Sequence, residues 1–216
     1  MSLEKNSSSH DHGHSHHHDH SHLTDIDARV RALETVLSAK GYIDSDAVDE
    51  IVQTYTTKIG PQNGAHVVAK SWCDPEFREW IESDSTAAIH SLGYTSRQGE
   101  HIEAVFNSDT QHHLIVCTLC SCYPWSVLGL PPAWYKSPPY RSRAVFDPRG
   151  VLEEFGLVLP PTTRIEVHDS TSEVRYLVIP QRPAGTEGWT ESELSRLVTR
   201  DSMIGTALAS APGDRP

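Results

Sequence analysis

The chain has 216 residues, 37% of them hydrophobic, which is enough for one packed domain with extensions. Its formal net charge of -11, with histidine counted as neutral, opposes binding to nucleic-acid phosphates and to anionic membranes. No apolar run in the sequence reaches the length of a bilayer span, and the polar N-terminus does not read as a secretory signal, so we expect a cytoplasmic protein.

Residues 1–22 alternate histidine with aspartate, serine and glycine. Such a segment has nothing to bury, so we predict a disordered tail. Two interpretations of it stay open: weak binding of divalent transition metal ions, or an inert solubilising tag.

Residues 23–95 are predicted to form a helical arm followed by shorter helices. Apolar residues recur at helical spacing from Ile26 to Leu37 and again from Val48 to Ile59. Thr24 is placed to cap the first helix and Gly41 to end it. Further helices are predicted over 65–71, from Asp74 onward and over 87–92. The apolar stripes of the first two helices pack either on this chain or around a partner subunit.

Residues 96–209 contain four β-like runs, which lie at 102–106, 113–116, 163–167 and 175–179. We predict proline-rich loops at 130–132 and 137–139 and a short helix over 191–198 capped by Thr190. Beyond Gly205 the chain is predicted to fray, with 210–216 as a disordered tail. The predicted fold class is α+β, with the helical arm leading into a layered α/β domain.

Three of the four cysteines fall within six residues, as Cys117, Cys120 and Cys122, directly after the apolar run Leu114–Val116. This spacing is unfavourable for a set of disulfide bonds and favourable for the coordination of one metal ion. The Cys-x-Cys part brings the backbone close to the ion, so the amide nitrogens of Ser121 and Cys122 are candidate ligands. Deprotonated amides suit a trivalent ion better than zinc.

A structural zinc site is the alternative that spacing alone leaves open. Cys73 stands alone in the sequence, and His112 and His113 precede the cysteines by too few residues to close a site easily. A lone Cys73 is more typical of a small core residue than of a ligand.

Several longer motifs carry a resemblance to the nitrile hydratase alpha subunit, cobalt type. They are residues 116–125 (VCTLCSCYPW), 128–132 (LGLPP), 140–143 (YRSR), 180–185 (PQRPAG) and 198–205 (VTRDSMIG). The likeness extends from about Ile26 to Gly205. It implies the nitrile hydratase alpha fold, in which residues 96–209 form the catalytic domain.

By this resemblance, the metal ligands are Cys117, Cys120 and Cys122 together with the main-chain nitrogens of Ser121 and Cys122. The sixth position is left to water or substrate. Thr118 stands where cobalt enzymes of the family carry threonine and iron enzymes carry serine, which favours non-corrin Co(III) over Fe(III).

The resemblance further implies that Cys120 becomes a sulfinate and Cys122 a sulfenate, while Cys117 stays a thiolate. It implies a beta subunit that supplies two arginines to the oxidised sulfurs, an activator that inserts cobalt, and a heterodimer or heterotetramer.

The implied reaction is hydration of a small nitrile to the amide, with Cys122 and Ser121 as catalytic residues. The nucleophile is the Cys122 sulfenate oxygen, which we favour because it is already oriented, or a metal-activated hydroxide. Gln98 and Trp125 match positions lining the substrate pocket, and Asp169 matches an acidic residue behind the ligands.

Two other functions stay open. One is a gamma-like subunit of thiocyanate hydrolase, which carries the same cysteines but has a basic residue where this chain has Trp125. The other is a non-enzymatic zinc or cobalt carrier, suggested by the histidine-rich tail.

Overall fold

The computed structural model describes residues 25–95 and 101–213. The described chain divides into two compact units, with the boundary between Val48 and Asp49. Thr24, Gln98, the histidine-rich segment 1–22 and the last three residues lie outside the described part, so the predictions made for them stay predictions.

The first unit contains helix α1, Asp25–Ala39, and the start of α2, Ser45–Thr57. Both predicted helices are confirmed, and Gly41 follows α1 in the left-handed conformation with φ +70°. No residue of α1 is buried, and its apolar stripe, which includes Ile26, Val30 and Leu33, is exposed. The described chain does not bury this stripe.

The second unit continues with three helices: α3, Pro61–Cys73, α4, Pro75–Ser83, and α5, Ser85–Ser91. The side chains of Asp74 and Asp84 accept hydrogen bonds from the N–H groups of Phe77 and Ala87, each at 3.0 Å, and so cap α4 and α5. Helix α3 is longer than the predicted 65–71, because Pro61 occupies its first turn, where its missing N–H has no intrahelical partner to lose.

The four predicted strands are present as β1, His101–Phe106, β2, Gln111–Val116, β3, Arg164–Asp169, and β4, Val174–Ile179. They form two parallel pairs, β1 with β4 and β2 with β3. The register of the second pair sets Val116 opposite Asp169. Because parallel strands end at the same edge, the residues after β2 emerge beside the end of β3.

The connection from β2 to β3 is more helical than the sequence predicted. It holds α6, Trp125–Leu128, a 3₁₀ turn, Ala133–Lys136, then α7, Pro138–Phe146, and α8, Pro148–Glu154. The proline-rich loop predicted at 137–139 is therefore wrong. Ser137 caps α7, and Pro138 occupies its first turn, where the missing N–H has no intrahelical partner to lose.

The chain ends in α9, Glu191–Ser195, and α10, Arg200–Ile204, and the predicted Thr190 cap of α9 is confirmed. Fraying beyond Gly205 is wrong, because Thr206 is buried and Ser210 N–H donates to Leu197 O at 2.8 Å. Gly205 has φ +96°, and a Cβ there would lie 2.0 Å from His113 O, so this contact requires glycine. In the described residues no helix is both long and apolar enough to cross a membrane.

Candidate metal centre

Strand β2 carries the first cysteine into the interior. Leu114, Ile115, Val116 and Cys117 are all buried in the main hydrophobic core. The backbone then turns outward, so that Leu119 is 88% exposed, and returns inward at Tyr123, which is buried. Residues 117–122, called the cysteine loop below, thus form a short projection anchored in the core at both ends.

The three sulfur atoms of the cysteine loop converge. The Sγ atom of Cys120 lies 3.5 Å from that of Cys117 and 3.1 Å from that of Cys122. None of them is in a disulfide. Two thiolates bound about 2.3 Å from one ion lie roughly 3.3 Å apart when they subtend a right angle and about 3.8 Å apart in a tetrahedron. The observed spacing is compatible with a single ion bound by all three sulfurs.

Within the described residues, no fourth side-chain ligand joins this group. Among residues 25–95 and 101–213, it is the one cluster of three or more histidine, cysteine or acidic side chains suited to hold a metal ion. Cys73 is exposed at the end of α3, and His112 is turned to the backbone, where its Nε2 donates to Gly205 O at 2.7 Å. A structural zinc site, which takes four protein ligands, is therefore incomplete here.

The backbone amides of the cysteine loop lie close to its sulfur atoms. Cys120 N–H donates to Cys117 Sγ at 3.3 Å. The amides of Ser121 and Cys122 both contribute to lowering the pKa of the Cys120 thiol. That the nitrogens of Ser121 and Cys122 bind the ion stays a prediction.

The two outer thiols have opposite acidities. Hydrogen bonds from Cys122 and from the Ser121 amide lower the pKa of the Cys120 thiol. Burial, followed by the bond with Cys120, raises the pKa of the Cys122 thiol. Of this pair, exposed Cys120 is the first to become a thiolate, which is the form that reacts with oxidants and metal ions.

Asp169 holds the cysteine loop at Thr118. Its carboxylate accepts a hydrogen bond from Thr118 N–H at 2.9 Å and another from the Thr118 hydroxyl at 2.6 Å. The contact follows from the β2–β3 register, which brings the end of β3 beside the residue after Cys117. The carboxylate thus holds the residue that directly follows the first cysteine.

Two further residues of this chain hold the loop and a third holds the strand before it, and the sequence did not single out their contacts. The Tyr135 hydroxyl donates to Cys122 O at 2.9 Å, and the Tyr140 hydroxyl donates to Ile115 O at 2.6 Å. Burial raises the pKa of both phenols, which keeps them protonated as donors. Arg141 donates from Nη1 to Cys120 O at 3.0 Å and to Leu119 O at 3.3 Å. The loop carbonyls therefore have fixed partners.

Trp125 begins α6 three residues after Cys122 and is half-buried. Its ring meets Tyr55 edge-on, with the centroids 5.4 Å apart. A groove of about 390 Å³ opens on another side of the loop and is lined by Thr118, Arg141 and Phe146, with Phe146 itself 86% exposed. Within the described residues, this side of the loop is thus an open groove that carries an exposed aromatic ring.

The family model described as "Nitrile hydratase, alpha chain" matches residues 24–207. The "High-molecular weight cobalt-containing nitrile hydratase subunit alpha" of Rhodococcus rhodochrous is 59% identical over 190 residues, covering 88% of this chain and 94% of the relative. The "Thiocyanate hydrolase subunit gamma" of Thiobacillus thioparus is 39% identical over 197 residues, covering 86% and 81%.

Among solved structures, a double mutant of the Fe-type nitrile hydratase from Comamonas testosteroni Ni1 matches with a TM-score of 0.79 at 37% identity. The match covers 88% of this chain and 95% of that chain. The fold predicted from the sequence motifs is confirmed by this likeness. The chain belongs to the nitrile hydratase alpha-chain family.

Proposed function

We propose that this chain is the metal-bearing catalytic subunit of a nitrile hydratase, which adds water to a small nitrile to give the amide. The observation that carries the proposal is a cluster of three cysteine sulfurs that has no fourth side-chain ligand within the described residues. Such a donor set leaves room on an ion for a small molecule.

Cys117, Cys120 and Cys122, with the nitrogens of Ser121 and Cys122, would hold the ion within the proposed catalytic domain, residues 96–209. We propose cobalt, because the relative at 59% identity is named cobalt-containing whereas the Fe-type structure is 37% identical. Thr118 agrees with this choice. As a trivalent Lewis acid, the ion would make a nitrile or a water molecule more reactive.

Cys120 is proposed to become the sulfinate and Cys122 the sulfenate. The exposure of Cys120 and its lowered pKa favour its oxidation, whereas Cys117, which is 0% exposed, is shielded and stays a thiolate. The half-buried position of Cys122 leaves its sulfur between the core and the open face.

In the proposed reaction, the oxygen on Cys122 attacks the nitrile carbon, while Ser121 and the Thr118–Asp169 contact keep the loop in shape. The bond between this oxygen and the Cys122 sulfur then breaks, and the oxygen leaves in the amide. One water molecule supplies the two protons that the nitrile nitrogen gains and the oxygen that takes the vacated place on the sulfur. Trp125 and Gln98 are proposed to line the pocket, where an uncharged aromatic side chain suits a neutral substrate better than an anion.

The exposed apolar groups around the loop support a partner subunit. Leu119 and Phe146 are 88% and 86% exposed beside the site, and the α1 stripe is also exposed. Large apolar groups exposed together are typical of interfaces. We propose that a beta subunit covers them and that its arginines bind the oxidised sulfurs, in a heterodimer or heterotetramer loaded by an activator. The cytoplasmic location expected from the sequence stays a prediction.

The test is turnover by the complex co-expressed with its partner subunit in the presence of cobalt. We expect release of amide from an uncharged nitrile and little consumption of thiocyanate. The reverse preference would favour the thiocyanate hydrolase function, whose named relative is 39% identical. A complex that binds zinc and turns over neither substrate would favour the carrier.

A further inference from the structure

The backbone of α6, the helix that begins with Trp125, is held by the start of α3. Asn63 Nδ2 donates a hydrogen bond to Ser126 O at 3.1 Å. Gly64 lies against the next carbonyl, since a Cβ added there would be 2.8 Å from Val127 O. The backbone that carries Trp125 is therefore fixed from within this chain.

The end of α2 packs backbone to backbone against the end of the same helix. Gly129 follows α6 with φ +70°, and a Cβ on it would lie 2.7 Å from Tyr55 O and 2.7 Å from Gly60 Cα. These distances leave no room for a side chain at Gly129. The place of Tyr55 relative to α6 is therefore set by main-chain contacts.

The ring of Tyr55 contacts that of Trp125. The ring centroids are 5.4 Å apart and the two planes are inclined by 84°, so one ring presents its edge to the face of the other. This arrangement is favourable, because the edge of an aromatic ring is positive and its face is negative. Both side chains are half-buried, and Trp125 packs on the edge of the main core.

The orientation of the Trp125 ring depends on packing. Among residues 25–95 and 101–213 its indole N–H has no hydrogen-bond acceptor, unlike that of Trp72, which donates to Pro180 O at 2.9 Å. Tyr55 is also the one aromatic side chain of the described chain whose ring meets it. Because the backbone of α6 is fixed, the remaining freedom of Trp125 is rotation of its side chain, and the Tyr55 ring limits that rotation.

We propose that Tyr55 is a positioning residue that holds the Trp125 ring as a fixed wall of the substrate pocket and thereby limits the size of the nitrile that is hydrated. The inference rests on the proposed function, in which Trp125 lines that pocket. A wall that cannot turn aside excludes a bulky substrate, whereas a wall that can turn admits it. Tyr55 acts through Trp125 and not by contact with the reacting atoms.

The experiment compares wild type, Tyr55→Leu and Tyr55→Phe in the cobalt-loaded complex with the partner subunit. Phe155→Leu is the matched control, because Phe155 meets a different tryptophan, Trp134, edge-on with the centroids 4.7 Å apart. The readouts are kcat/KM for benzonitrile and for acetonitrile, cobalt per chain, the midpoint of thermal unfolding, Tm, and the fluorine NMR signal of Trp125 in complexes made with fluorinated tryptophan. Trp125→Leu identifies that signal by removing it.

For Tyr55→Leu we expect the ratio of kcat/KM for benzonitrile to that for acetonitrile to rise about two- to tenfold, the range that corresponds to the loss of one aromatic pair. The Trp125 signal should shift or broaden, while cobalt per chain stays at the wild-type value. Tyr55→Phe retains the ring and should match wild type in both readouts. Phe155→Leu should lower Tm but change neither the ratio nor the signal.

A double variant separates positioning from a direct effect on the substrate. If Tyr55 acts through Trp125, adding Tyr55→Leu to Trp125→Leu should not change the substrate ratio further. A second change of the same size would mean that Tyr55 itself lines the pocket, which contradicts the proposal.

The proposal is also contradicted if Tyr55→Leu does not raise the ratio or leaves the Trp125 signal unchanged, or if Phe155→Leu raises the ratio equally. A Tyr55→Leu complex that does not assemble contradicts it too, because the residue would then be needed for assembly. If wild type with cobalt hydrates neither nitrile, the proposed function fails. Hydration by wild type with an unchanged ratio in Tyr55→Leu would overturn the role of Tyr55 alone.

Discussion

The carboxylate of Asp169 binds Thr118 at two points, the backbone N–H at 2.9 Å and the hydroxyl at 2.6 Å, and so closes the end of β3 onto the cysteine loop. The contact fixes the orientation of Thr118, which lies between Cys117 and the exposed Leu119. Both bonds end on a carboxylate, which makes them stronger than neutral ones.

Asp169→Asn should lower cobalt retention by about tenfold, the low end of the effect of removing a residue behind metal ligands. The reason is that one side-chain acceptor becomes an NH₂ group, which cannot accept a bond from Thr118. Thr118→Ser is the matched control, since serine keeps the hydroxyl donor, and should retain cobalt when the metal is abundant. Equal cobalt content in both variants would show that the contact does not support the site.

Tyr135→Phe removes the hydroxyl that donates to Cys122 O and leaves a carbonyl without its partner. We expect a loss of stability of about 1–3 kcal/mol and faster release of cobalt. Tyr140→Phe removes an equivalent bond to Ile115 O, which lies in β2 before the loop. It should lower the free energy of unfolding similarly but leave cobalt release near wild type. The two rates of cobalt release decide between a local effect on the loop and a general loss of packing.

Arg141→Ala should reduce cobalt occupancy, because the guanidinium joins two carbonyls at the tip of the loop. The control is Arg143→Ala on the same helix, α7, whose side chain is 43% exposed and pairs with Glu154 and Asp147. Exposed ion pairs contribute about 0–1 kcal/mol, so this control should change stability little. Loss of cobalt from both variants alike would mean that α7 as a whole, rather than Arg141, supports the loop.

The sequence predicted the cysteine loop well because its information is local. Cys117 follows an apolar run that can only be buried, and the spacing of the next two cysteines allows their sulfurs to converge. The four strands and the Asp74 and Thr190 caps were likewise predictable from short patterns.

The supporting residues were not predictable in the same way, since their contacts depend on tertiary structure. Tyr135 and Arg141 lie 13 and 21 residues from the carbonyls they bind at Cys122 and Cys120. The parallel pairing of β2 with β3 brings together Asp169 and Thr118, which lie 51 residues apart in the sequence.

Two buried histidines, His112 and His113, and the half-buried His168 should make the protein sensitive to acid. Burial lowers the pKa of His112, His113 and His168 below the ordinary value of 6.5. His113 Nδ1 lies 2.7 Å from His168 Nε2, a contact that only an unprotonated nitrogen can accept. The negative charge of Glu166 raises the pKa of His113 and of His168, but burial has the larger effect, so both pKa values remain lowered.

As pH falls through about 6.5, these histidines become protonated in the unfolded chain but stay neutral in the folded chain, where their pKa values are lower. The unfolded state is therefore favoured and stability is lost. We expect Tm to fall between about pH 7.5 and about pH 5.5 in the cobalt-free complex, where loss of metal does not contribute. His168→Gln should reduce this dependence, while the exposed His90→Gln should not. A Tm that rises on acidification would contradict the explanation.

The central claim is that the cysteine loop binds a trivalent ion through three sulfurs and two amide nitrogens. Metal analysis combined with mass spectrometry of the intact loop peptide, on the complex co-expressed with its partner subunit, tests it most directly. We predict one cobalt per chain, two added oxygens on Cys120, one on Cys122 and none on Cys117. Zinc bound by three unmodified thiols would contradict the account.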